Sequence, residues 1–468
     1  MSLVSIPVEI ITDIFCLVDS LEARTYGDYQ RSNLCALALT CRYLSEVAGA
    51  LLYERVSFGF GVLDRFLTED VKRIKHLNRS FRNRPSLVDR IHSADLHFPF
   101  TGAGSITYKE FLRHLSRSSS LTSLMTELGF ASWNHLEALY KCEEGGFPNL
   151  KTLNIELLGG TQWDQNELPV EKLASICELP SLETIVVRAS IELPSEKPVS
   201  TTPFPNLKRL HFGFQPVYVE VLQTLMSRAP GLTSLRLPIP GESFQCIMKN
   251  PDKPHVDGYS MHGIMSPEFY GTLFLPVASS LTDLVLNTDH VFFTHDGSVI
   301  DLSRLVNLTS LTLSSYLLFG SGHLAADDPR AQGVWESLPA CLTELHLRFP
   351  GTMGLFWPLD VVQARAASDT FGERWEERLN TDHVAWLLDL LDKTRDRKLA
   401  LKSITISEGS AIDSEPVWQI VQWHMTDLLR KAAREASVNL VIRLRVPLTF
   451  DSTEFDVWKI PQRRDLRI

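Results

Sequence analysis

The stretch that decides the fold is "NLKTLNI", residues 149–155. It reads apolar, two polar, apolar, one polar, apolar. In an extended chain, successive side chains point to opposite faces, so Leu153 and Ile155 share one face while Thr152, Asn154 and Glu156 share the other. The phrase returns as "SLETIVV" (181–187), "NLKRLHF" (206–212), "GLTSLRL" (231–237) and "SLTDLVL" (280–286). It continues as "NLTSLTL" (307–313), "CLTELHL" (341–347) and "ALKSITI" (400–406), with looser copies "RIHSADLHF" (90–98) and "SLTSLMT" (120–126). Counted from the first apolar position of each copy, the gaps are 30, 29, 32, 25, 25, 49, 27, 34 and 59 residues.

A short strand recurring at this period resembles leucine-rich repeats, in which no repeat buries its apolar face alone and stacked neighbours share one core. The resemblance implies an α/β fold: a curved solenoid with a parallel sheet on its concave face. Return segments supply the opposite wall. "YVEVLQTLMSRA" (218–229) places Val221, Leu222, Leu225 and Met226 on one helical face, and "VEKLASICEL" (170–179) does so more briefly. Pro-Asn, Pro-Ser or Pro-Gly before four of the strands ends the return and turns the chain inward. The 49-residue gap predicts a degenerate repeat within 246–265, and the 59-residue gap predicts an insertion at about 350–398. That insertion carries Phe356, Trp357, Phe371 and Trp375, either a binding loop or a seal on the array's edge, and then an amphipathic helix through Val384, Leu387, Leu388 and Leu391.

The strand face opposite the core is the candidate target-binding surface, with Arg188, Arg209, His211, Arg236, His346 and Arg348 as its candidate contacts. Arg188, Arg209 and Arg236 fall on successive strands, and each guanidinium offers a planar fork of donors to an acidic or phosphorylated segment. The alternative is scattered solvent-exposed charge.

The amino-terminal stretch "IPVEIITDIFCLV" (6–18) is apolar over about half of a helical circumference. Ser5 and Pro7 suit a helix start. A polar loop to Asn33 follows. Then "LCALALTCRYLSEVAGALLYERVSF" (34–58) places Leu34, Leu37, Cys41, Leu44, Val47 and Leu51 at helical spacing, with a break into two short helices expected at Gly49. Three short helices are too few to bury this much apolar surface by themselves. The order Ile-Pro-x-Glu-Ile-Ile-x-x-Ile-Phe, a loop, Leu-x-x-Leu-x-x-Thr-Cys-Arg-x-Leu and Leu-Leu-Tyr-Glu resembles an F-box. It departs from the usual pattern at Thr40, at Leu44 and in its long first loop, a feature of fungal members. The resemblance implies that the module docks on a Skp-type adaptor and, through it, on a cullin. The implied contacts are Ile6, Pro7, Ile10, Ile14, Leu34, Leu37, Cys41, Arg42 and Leu44. The alternative is a cap packed on the chain's own repeats.

The expected layout is an F-box at 1–58, a helical linker at 59–86, the leucine-rich-repeat solenoid at 87–447 and a tail at 448–468. "DRFLTEDVKRIKHLNRSFRNRP" (64–85) is a basic amphipathic helix, read as a joint with solvated charges rather than a nucleic-acid contact. "PVWQIVQWHMTDLLRKAAREA" (416–436) reads as one long amphipathic helix and "NLVIRLRVPL" (439–448) as a final strand, together a carboxy-terminal cap.

With 46 basic and 56 acidic residues, the net charge of −10 argues against nucleic acid or an anionic membrane as the main partner. Seven dispersed cysteines without a C-x-x-C pair fit reduced thiols in the cytoplasm or nucleus. The glycosylation triplets at Asn78 and Asn307 read as coincidental. No secretory leader is expected at the amino terminus, and no apolar run is long enough to span a membrane. No phosphate loop, nucleophile elbow or zinc helix is present. The pairs Asp289-His290 and His295-Asp296, together with His255 and His262, read as solvated loop residues rather than metal ligands. No catalytic residue, metal or cofactor is expected. The reading is a substrate receptor of a Skp–cullin–F-box ubiquitin ligase whose array binds a protein target. The alternative is an interaction scaffold of the same build that promotes no ubiquitination.

Overall fold

A computed structural model describes residues 8, 10–15, 36, 39–58, 64–97, 105–128, 136, 139, 146–157, 168–189, 191–192, 202–213, 217, 219–238, 267–287, 298–319, 333–349, 385–408, 418–422 and 425–447. Ile6, Pro7, Leu34 and Leu37, the degenerate repeat at 246–265, the aromatics of the insertion and the His/Asp pairs at 289–296 lie outside the described residues, as do His255 and His262. The chain divides into two compact units, Met1–Phe214 and Gln215–Ile468.

In the first unit, helix α1 (Arg42–Glu54) runs directly into strand β1 (Arg55–Phe58). Helix α2 (Asp64–Asn83) follows, then β2 (Ser93–His97), α3 (Ser105–Leu115), β3 (Ser123–Leu128), β4 (Thr152–Leu157), α4 (Val170–Cys177), β5 (Thr184–Arg188) and β6 (Arg209–Phe212). The strands pair in chain order and all in parallel. Register stacks equivalent phrase positions: Val56, Ala94, Leu124, Leu153, Ile185 and Leu210 form one row across six strands, all buried. The "NLKTLNI" phrase therefore contributes Leu153 and Ile155 to this core, both fully buried.

The second unit repeats the scheme. It contains α5 (Val219–Arg228), β7 (Ser234–Pro238), α6 (Pro267–Leu273), β8 (Asp283–Asn287), β9 (Ser310–Ser314), α7 (Ser315–Phe319), β10 (Glu344–Phe349), α8 (Ala385–Arg395), β11 (Ser403–Glu408), β12 (Trp418–Gln422), α9 (Asp427–Glu435) and β13 (Asn439–Pro447). Strands β7 to β11 and β13 are parallel neighbours, and β12 closes the edge antiparallel to β13. Leu237, Leu286, Leu313, Leu347, Ile406 and Ile442 make a buried row. Val221, Leu222, Leu225 and Met226 of α5 are buried, as the helical spacing of 218–229 predicts.

Polar side chains stitch successive repeats at one recurrent position, the residue just before the phrase's first leucine. Asn149 Nδ2 donates to the Ser119 carbonyl at 2.6 Å, Asn206 to Pro180 at 2.5 Å and Asn307 to Ser279 at 2.7 Å. Ser181 donates to the Pro148 carbonyl at 2.5 Å, and the Cys341 thiol to Leu308 at 3.2 Å. The first four acceptors lie in the turn two residues ahead of the preceding copy's first leucine, whereas Leu308 is itself that leucine. Asn78, buried, donates to the Thr107 carbonyl at 2.7 Å, so both asparagines of the glycosylation triplets are engaged within the protein.

Four expectations need correction. Gly49 does not break a helix, because α1 continues through it to Glu54. Residues 55–58, expected to close the helical module, are the sheet's first strand. The segment expected as a linker is the return of the first repeat: Ile74 and Phe81 of α2 are buried, and Phe81 stacks on Phe111 of α3 at 5.8 Å. Finally, 416–436 is not one helix. Trp418–Gln422 pairs with β13, and α9 starts afresh at Asp427, capped by Thr426 Oγ1 accepting from the Leu429 amide.

Candidate protein-interaction surfaces

The amino-terminal module has a small core of its own. Residues 10–15 are helical, and Ile11 and Phe15 pack with Leu44, Val47 and Ala48 of α1. Tyr43, Leu51 and Leu52 pack around that cluster. The other side of the first helix looks outward: Ile10 is 50% exposed and Ile14 48%, one helical turn apart, with Val8 at 45%. Leu39, just before α1, is 88% exposed. Of the expected adaptor contacts, Ile10 and Ile14 are half-exposed, Cys41 is exposed, and Arg42 opens α1. Leu44 does not belong with them. It is buried in the module's own core at 5% exposure, because its place in α1 faces Ile11 and Phe15.

On the first sheet, Arg188 is committed locally. Its Nη1 meets Glu156 Oε2 at 3.1 Å across the in-register pair of β4 and β5, and its stem lies over Gly213. A β-carbon at Gly213 would stand 2.6 Å from Arg188 Cγ, so the glycine makes room for the arginine. Arg209 is exposed but sits opposite Thr184, four residues along β5 from Arg188, or about 13 Å. The two do not converge on one ligand group. His211 is half-buried opposite Val186. At the start of this face, Arg55 and Asp95 form an ion pair at 2.5 Å.

On the second sheet, Arg236 is exposed opposite Val285. His346 and Arg348, both expected contacts, belong to a denser group. His346 Nε2 lies 2.8 Å from Ser407 Oγ. Loss of solvent around the ring, followed by repulsion from Arg348 and Arg443, holds the His346 pKa down to about 4. The register sets Arg348 opposite Ser407, Ser407 opposite Arg443, and Arg443 opposite Gln422. Ser407, Arg443 and Gln422 were missed in the sequence because the order β11–β13–β12 is not chain order.

Among the described residues, no group of three or more His, Cys, Asp or Glu is placed to hold a metal ion, and no helix is long and apolar enough to cross a membrane. No known protein-family pattern matches the chain, and no curated protein matches it. Thirty chains of solved structures match. One, from the crystal structure of a TLR13–ssRNA13 complex, is 17% identical with a TM-score of 0.25, over 57% of this chain and 37% of that one.

Proposed function

We propose that this protein is a non-catalytic recognition subunit of a Skp–cullin–F-box ubiquitin ligase. The amino-terminal helices hold a Skp-type adaptor, and the leucine-rich-repeat strands hold a protein target. The observation that carries this reading is the division of one helix into two apolar faces. Ile11 and Phe15 close the module's own core while Ile10 and Ile14 stay half-exposed. Apolar side chains at that spacing on an exposed helix face suit helix-in-groove docking. The outer strand face supplies polar, regularly spaced side chains above a rigid sheet, as a protein-binding array requires. No catalytic group is assigned, and ubiquitin transfer follows from holding the target near the charged carrier.

Co-expression with a Skp-type adaptor tests the proposal. The full chain should co-purify with the adaptor, and Ile10→Asp with Ile14→Asp should abolish the complex while leaving the circular-dichroism spectrum and thermal midpoint unchanged. Failure of the wild-type chain to bind any adaptor overturns it. Adaptor binding without any protein that accumulates on deletion of the gene moves the assignment to a scaffold.

A further inference from the structure

Across β9, β10, β11, β13 and β12, one outer row reads Ser314, Arg348, Ser407, Arg443, Gln422. Five neighbouring strands thus carry a hydrogen-bond donor at one register level, four of them at least partly exposed, with no carboxylate among the five. Strands lie about 4.8 Å apart, so the row extends about 19 Å. Arg348 and Ser407 are half-buried, and Arg443 and Gln422 are exposed. Ser314 is buried, and its Oγ has no hydrogen-bond partner among the described residues. The row below adds His346, hydrogen-bonded to Ser407, the serine that stands in register between Arg348 and Arg443. On β10 the acid, Glu344, stands two residues beyond His346, at the other end of the strand.

We infer that this row is a binding site for oxyanions, phosphate or carboxylate, carried on an extended segment of a protein partner that crosses β10, β11 and β13. Two arginines flanking a hydroxyl match the several acceptor oxygens of such a group, and the charge-assisted contacts are the strong ones. A nucleic acid fits the row less well: among the described outer residues of β10, β11 and β13 only two arginines serve it, and none is a Phe, Tyr or Trp on which a base would stack. The same electrostatics give a reporter. Burial first, and then the two arginines, hold His346 neutral, and an anion seated between the arginines offsets their charge and favours the imidazolium.

The inference deepens the target-binding half of the proposed function and is independent of the adaptor, so each fails separately. The test uses the full chain with histidine-labelled NMR at constant ionic strength, titrating inorganic phosphate, acetate or chloride. Phosphate or acetate should move the His346 ring resonance toward its protonated position and raise its pKa, and chloride should not. Arg443→Glu should weaken the response at least about tenfold, and Arg443→Gln should weaken it less. The acetate and phosphate arms rank the two anion types. A phosphoserine peptide bound in an Arg443-dependent way, against its unmodified twin, supports a protein-borne phosphate, and a glutamate-rich peptide bound likewise supports a carboxylate. No anion-specific change at His346, or an undiminished response in Arg443→Glu, overturns the site. Equal, Arg443-dependent binding of a single-stranded oligonucleotide overturns the protein partner.

Discussion

At the scale of single residues, His346 shows how an array's outer face stores charge. In the unfolded chain its pKa is about 6.5, and in the folded state it is about 4. The unfolded state therefore binds more protons between those values. Stability is complete above pH 6.5, falls as pH drops toward 4, and levels off below. The expected contribution is about 2 kcal/mol, after discounting the solvent-exposed part of the ring. Urea unfolding at pH 7 and pH 4.5 checks it, since His346→Gln, which can still bond Ser407, should narrow the difference between the two midpoints. Gly271 provides a second case. In an open helix, alanine would favour folding over glycine by about 1 kcal/mol. In α6, however, a β-carbon at this position would overlap the Asp301 carbonyl oxygen, which is backbone and cannot swing aside. Gly271→Ala should accordingly lower the thermal midpoint.

At the scale of elements, the turn stitches are the clearest case for mutation. Asn307→Ala removes one hydrogen bond and leaves the Ser279 carbonyl without its side-chain donor, at a cost of about 0.5–1.5 kcal/mol read from denaturant midpoints. Cys341 holds the same place with a weaker donor, and burial raises its thiol pKa. Cys341→Asn should therefore be neutral or stabilising. These positions also show what sequence can reveal. Leucine phrases mark the strands because the alternation is a property of three or four adjacent residues. The stitch is visible only once the copies are aligned, as the Asn or Ser that precedes the first leucine. Strand β1 escaped because "RVSF" is too short to carry the phrase, and its return helix was read as a joint for want of a strand before it. Residues 418–422 were misread because Trp418 and Val421 also suit helical spacing. The signal that divides the segment was present in Thr426-Asp427, a helix start ahead of Leu428-Leu429. The row through Arg443 was hidden for a different reason: it depends on which strands become neighbours.

At the scale of the whole molecule, the amino-terminal module and the first sheet are covalently fused without a spacer, since α1 passes straight into β1. Val56 and Phe58 are buried in that sheet, and Phe58 meets Phe111 edge-on at 5.6 Å. A truncation that begins at Arg55 should lower the thermal midpoint of the first unit less than one that begins at Gly59, which also strips the edge from β2. Adaptor binding should be lost in both. The distinction matters for any deletion meant to separate docking from target capture.

The shared direction of the parallel strands β7 to β11 carries a further consequence. A polypeptide that leaves β7, β8, β10 or β11 at its carboxy end always departs from one rim of the second sheet. The long spacers of this unit, including 239–266 and 350–384, begin at that rim. Residues inserted directly after these strands enter at one border, and the register of the leucine rows is kept across both spacers. New specificity can accumulate there one spacer at a time while the scaffold beneath stays the same.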